Sequence, residues 1–181
     1  MIDMFVLGKK PMEKRIEYKI CVLGDEGVGK TSLIRRFVDN KFEEGYTEEK
    51  QISKKEEIYV SVEENGLPKS DVIALSIWDW VSSITRKQSY NNAKGALLVS
   101  SITEKISLLS LEYWKNELYE VAGKVPIVVA INKGDLRKQR QIEKIDLKNA
   151  SKKIKAPLIV TSAKSGKNVK KTFYKLAQKL I

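Results

Sequence analysis

Apolar residues fall into short runs, and their spacing changes along the chain. Residues 18–23 form a continuous apolar-rich run of buried-strand type, and residues 29–40 follow as a helix. Residues 56–63 alternate and are rich in β-formers. Asn65-Gly66 with Pro68 then gives a turn, and residues 72–78 read as the next strand, so the pair forms a hairpin. Residues 96–102 and 127–131 are short buried-strand runs. Between them Ile106, Leu109, Tyr113, Trp114, Leu118 and Val121 recur at helical spacing. Residues 156–161 give a further strand. Residues 168–181 close the chain as a helix with Val169, Phe173, Leu176, Ala177 and Leu180 on one face. Strands alternating with helices predict an α/β fold with a mainly parallel, doubly wound sheet. The hairpin adds one antiparallel edge strand.

A chain of 181 residues with 42% hydrophobic content is enough for one domain with a proper core. Residues 1–16 read as a short extension, leaving 17–181 as the domain. Cys21 is the single cysteine and lies in an apolar run, so a buried thiol in a reducing cytoplasm is expected. No apolar stretch approaches the roughly 20 residues of a membrane span. The N-terminus lacks the form of a secretory signal. No cysteine lies near the C-terminus, so no prenyl anchor of the usual kind is expected.

Net charge is +11 and uneven. Residues 133–181 hold 15 Lys/Arg against 3 Asp/Glu, and the remainder holds 19 against 20. The basic third is either a solvated lysine-rich surface or a weak electrostatic contact for an acidic membrane or partner. No aromatic interleaving or recognition motif supports nucleic acid as that partner.

The chemistry begins at Gly24-Asp-Glu-Gly-Val-Gly-Lys30-Thr31, which fits G-x-x-x-x-G-K-[ST] between a strand and a helix. Glycines let successive backbone N–H groups turn toward phosphate oxygens, and the following helix adds its positive end. Lys30 supplies charge to the terminal phosphates, and the Thr31 hydroxyl suits Mg²⁺. Glu26, Gly27, Val28, Gly29 and Ser32 complete the phosphate cradle.

Two later stretches choose the base. Asn132-Lys133-Gly134-Asp135 follows an apolar strand. A buried Asp135 carboxylate can accept from the N1–H and 2-amino group of guanine and would be unpaired against adenine. Thr161-Ser162-Ala163-Lys164 follows another strand and can offer the Ala163 N–H to the guanine carbonyl.

Over about residues 17–181 the chain resembles the Ras/Rab-type small GTPases, through "GDEGVGKTSLIRRF", "NKGD" and "TSAKSGKNV" in that order. The resemblance implies a six-stranded, mostly parallel sheet flanked by five helices, binding GTP or GDP with Mg²⁺ and meeting a protein effector or regulator. It implies Asn132, Lys133 and Asp135 at the base and Phe42 edge-on to it. It implies Asp79 at the metal through water, where an ion would account for a carboxylate ending a buried strand.

The sequence also departs from that family. Its second switch begins D-x-x-G-Q, whereas here Asp79-Trp-Val-Ser-Ser83 stands. Ser82 falls at best where the glycine would meet the γ-phosphate, and Ser83 where the glutamine would orient water. Lys30 and Ser83 are thus the residues left for catalysis. In the first switch, counting from Phe42 puts Glu49 at the metal-binding threonine, and Thr47 substitutes only with a shift of two residues. Glu26 occupies a position that normally takes a small residue. It repels the γ-phosphate unless it turns outward. Trp80 either anchors a partner or fills space beneath the switch. The expectation is guanine nucleotide binding with slow or impaired hydrolysis. The alternative is a non-hydrolysing interaction module.

Overall fold

The computed structural model describes residues 15–44, 51–64, 67–80 and 86–181. Along the chain run β1 (Arg15–Leu23), α1 (Lys30–Val38), β2 (Gln51–Glu64), β3 (Leu67–Trp80), α2 (Arg86–Ser89) and β4 (Gly95–Ser101). Then come α3 (Lys105–Leu109), α4 (Leu111–Ala122), β5 (Ile127–Asn132), α5 (Lys144–Ile154), β6 (Leu158–Val160) and α6 (Val169–Ala177). The six strands form one sheet in the order β2-β3-β1-β4-β5-β6. Every neighbouring pair is parallel except β2 with β3, so the antiparallel strand is the edge strand, as the hairpin pattern predicts. β1 starts at Arg15, inside the stretch read as an extension, and Arg15 and Ile16 already pair with Val72 and Ile73 of β3.

Period-two alternation divides the strands between two cores. Ile20 and Val22 of β1 face one layer with Leu97, Val99, Val128 and Ala130, covered by α1 and α6. There Phe37 of α1 stacks on Phe173 of α6, ring centroids 4.0 Å apart. Cys21 and Leu23 face the other layer with Leu98, Val129 and Ile131, covered by Leu108, Leu111, Leu118 and Ile154. Burial pushes the Cys21 thiol up to about 11, so it stays a neutral core group near neutral pH. β4 and β5 are buried along their whole length, which is why they read as unbroken apolar runs.

One sequence expectation is corrected here. The apolar stripe read over 106–121 is buried only in part: Leu118 is in the core and Trp114 and Val121 pack against it. Ile106, Leu109 and Tyr113 are 66%, 65% and 52% exposed. Leu108 and Leu111 take the place of Ile106 and Leu109 in the packing, and the helix breaks at Ser110 into α3 and α4. Both pairs have helical spacing, so periodicity could not choose between them. The choice was made by contact with the sheet.

Candidate nucleotide-binding site

The carboxyl ends of β1, β4 and β5 lie at one edge of the sheet, where parallel α/β folds place ligands. β1 runs straight into the loop at Gly24. Gly24 has φ +149°, and a Cβ there would sit 2.1 Å from the Val99 carbonyl oxygen of β4. Gly29 has φ +92°, and a Cβ there would lie 2.4 Å from Asn132 Nδ2. Both positions need glycine for conformation and for close approach. Val28 is buried between them, while Glu26 and Gly27 are exposed at the crest.

Helix α1 starts at Lys30, with no side-chain cap and no acidic residue in its first turn. Its leading N–H groups and dipole therefore favour an anion. Lys30 Nζ donates to the Asp25 carbonyl at 2.9 Å, so the cation is held over the loop. Trp114 of α4 donates its indole N–H to Asp25 Oδ1 at 2.7 Å. Thr31 and Ser32 are half-buried in the first turn of α1.

At the base side Asn132 is the hub. It is 2% exposed at the end of β5. Its Nδ2 donates to the Val28 carbonyl at 3.0 Å. Its Oδ1 accepts from the Ala163 N–H at 3.1 Å and the Thr161 hydroxyl at 3.4 Å. One amide thus ties the phosphate loop to the Thr161–Lys164 segment. Lys133 follows with φ +59°, and the Gly134 N–H donates to the Thr161 carbonyl at 2.8 Å. Asp135 Oδ1 accepts from the Ser162 hydroxyl at 2.6 Å, and that hydroxyl oxygen accepts from the Ser165 N–H at 3.1 Å.

Two site expectations change. Asp135 is exposed, not buried, because it sits past the turn at the mouth of the site. The Ser162 hydroxyl fixes the orientation of the Asp135 carboxylate. The Ala163 N–H is already donated to Asn132, so it is not simply waiting for a base carbonyl. The Lys164 N–H has no partner among the described residues.

Other predicted residues are placed more loosely. Phe42 is half-buried and packs on the core beneath α1 and α6. Just beyond it Glu43 pairs with Arg35 at 3.3 Å, and Glu44 pairs with Lys164. The hydrogen bond to Glu44 raises the Lys164 pKa above its ordinary value. The backbone of Asp79 lies in β3 beside Val22 on one side and Ile52 on the other. That puts it level with the end of β1, close in register to the loop that Thr31 closes. The side chains of Asp79 and Trp80, and the whole of Thr47, Glu49, Ser82 and Ser83, lie outside the described residues. Gln88 is exposed in α2. The Thr31 hydroxyl, in the first turn of α1, is a hard oxygen donor of the kind Mg²⁺ takes.

Sequence reasoning missed Arg36 and Trp114 as site residues. Arg36 of α1 donates to the carbonyls of Ala163 and Lys164 at 2.7 and 2.8 Å. Trp114 belongs to no local motif, and although Arg36 lies within GDEGVGKTSLIRRF, nothing in its spacing signals a contact across the fold.

Fold and site together define a phosphate-loop α/β nucleotide-binding protein. Residues 19–181 match the profile of the Ras family. The GTP-binding nuclear protein GSP1 of Encephalitozoon cuniculi is 31% identical over 173 residues, covering 92% of this chain and 78% of that protein. Ras-related protein Rab-11A of Dictyostelium discoideum is 34% identical over 163 residues, covering 86% and 72%. Ras-like protein 1 of Saccharomyces cerevisiae is 32% identical over 162 residues, covering 88% of this chain and 51% of that protein. The chain belongs to the Ras family of small GTPases. Membership implies GTP binding, and proteins of this family bind GTP and GDP, hydrolyse GTP and meet effectors or regulators. Among the described residues no helix is long and apolar enough to cross a membrane.

Proposed function

We propose that this chain is a guanine-nucleotide-binding small GTPase whose hydrolysis is slow. The observation that carries the binding half is the Asn132 hub, which joins Val28 of the phosphate loop to Thr161 and Ala163 of the base segment. Asn132, Lys133, Asp135, Ser162, Ala163 and Lys164 receive the base, with Phe42 beside it. Glu26 through Ser32 receive the phosphates, with Thr31, Asp79 and, in the first switch, Thr47 as candidates for the metal. Bound Mg²⁺ would neutralise phosphate charge. Lys30 and the loop N–H groups would do the same from the protein side.

The slow rate is read from Asp79-Trp-Val-Ser-Ser83, where neither the switch glycine nor the water-orienting glutamine is present. Ser83 has a shorter reach than glutamine and one hydroxyl in place of an amide. The same departure favours a second reading, a permanently nucleotide-loaded interaction module. The exposed face of α6, with Lys170, Lys171 and Lys175 and no acid in the helix, supports weak electrostatic contact with an acidic partner or membrane surface from the cytoplasmic side.

Single-turnover hydrolysis of radiolabelled GTP tests the reading. A detectable rate well below that of a Ras-family protein carrying D-x-x-G-Q is expected, with little gain from Ser83→Gln, because Ser82 also differs from the glycine. No turnover over days selects the interaction module. A rate equal to that reference overturns the slow-enzyme reading.

A further inference from the structure

Arg36 lies in α1, the helix that begins in the phosphate loop, yet it bonds to the far end of the site. Its Nε donates to the Ala163 carbonyl at 2.7 Å and its Nη2 to the Lys164 carbonyl at 2.8 Å. Its Nη1 donates to the Asn40 carbonyl at 2.8 Å. A planar guanidinium can hold two successive carbonyls this way, and an ammonium cannot reproduce the fork.

The two gripped carbonyls fix two peptide planes. No described peptide bond is cis, and in a trans peptide the N–H points opposite to the C=O. Holding the Lys164 carbonyl therefore turns the Ser165 N–H away from Arg36, where Ser162 Oγ accepts it at 3.1 Å. Holding the Ala163 carbonyl likewise turns the Lys164 N–H away from Arg36. That N–H has no partner among the described residues, whereas its neighbours on both sides, Ala163 and Ser165, are engaged.

We infer that Arg36 is a positioning residue for guanine recognition, which presents the Lys164 N–H to the six-position carbonyl of the base. This rests on the reading that the 161–164 segment receives that base. The same fork ties base recognition to the chain leaving α1, since Asn40 (φ +53°) opens the segment whose Glu43 and Glu44 pair with Arg35 and Lys164. Guanine selectivity and the entry to the first switch thus share one anchor.

The test compares GDP with two analogues by competition titration. 6-Thio-GDP keeps N1–H and the 2-amino group but carries a weaker sulfur acceptor at position six. IDP lacks the 2-amino group alone and so reports on Asp135. The unsubstituted protein is expected to prefer GDP over both. Arg36→Lys and Arg36→Met are each expected to lose most of the preference over 6-thio-GDP, a change of about three- to tenfold, the worth of one hydrogen bond. The preference over IDP stays within about twofold, which general loosening of the site would not spare. Lysine failing to rescue identifies the fork, and not the charge, as the agent. Preserved discrimination against 6-thio-GDP in both variants overturns the inference.

Amide hydrogen exchange on the unsubstituted protein needs no substitution. GDP must slow exchange at Lys164 more than 6-thio-GDP does, and equal protection by the two also overturns the inference. If the unsubstituted protein does not prefer GDP over ADP, the base-site reading itself has failed and the inference falls with it.

Discussion

The two ends of the nucleotide site are built by different means. The base side is held by side chains reaching across the fold. Asn132 meets Val28 from 104 residues away, and Arg36 meets Ala163 from 127. The phosphate side, apart from the Asn132 tie to Val28, is held by local backbone. Glycines set the curl, α1 supplies its N-terminus, and Lys30 folds back on Asp25 only five residues earlier. A single described side-chain bond, from Trp114, steadies Asp25 from outside. A site made of local backbone tolerates change elsewhere but depends on its own few residues. A site made of distant side chains fails when one hub is cut.

The sharpest way to break this contrast is Asn132→Ala. It removes the partner of the Val28 carbonyl, the Ala163 N–H and the Thr161 hydroxyl together. Leaving buried groups unpaired costs about 2–4 kcal/mol when several share one partner, roughly 30- to 1,000-fold in affinity. Calorimetric titration should find GDP and GMP weakened alike, since both carry the base.

Lys30→Ala should act on the other half alone. A charge-assisted contact contributes about 1.5–3 kcal/mol, so GDP binding falls roughly 10- to 100-fold. GMP, with no terminal phosphate for Lys30 to meet, should bind nearly as before. Equal losses for the two ligands would show that the halves are not separable.

Trp114→Phe probes the outside bond to the phosphate loop. Phenylalanine keeps the ring and removes the N–H that Asp25 accepts. A loss of about 1 kcal/mol is expected, near fivefold for GDP, with little change for GMP. A thermal scan should show the fold intact. A change for GMP as large as that for GDP would place Trp114 in general packing.

What was legible in the sequence follows the same division. The phosphate loop could be read because its demands are met by neighbours: Gly24, Gly29, Lys30 and Thr31 lie within one turn of chain. The alternation of buried strands and helices, and the antiparallel edge hairpin, could be read for the same reason. Arg36 could not, because its partners are fixed only once α1 and α6 pack on the same face of the sheet. The exposure of Asp135 was misjudged because a motif gives residue types, not depth. In α3 and α4 Leu118 was read correctly, but only contact with β4 and β5 selected Leu108 and Leu111 over Ile106 and Leu109.

The most direct measurement is to denature the purified protein and identify the released nucleotide by chromatography. A stoichiometric guanine nucleotide is expected if the proposed base site of Asp135 and the Asn132 hub is right. A released adenine nucleotide would contradict the base site built from Asn132, Asp135 and the 161–164 segment.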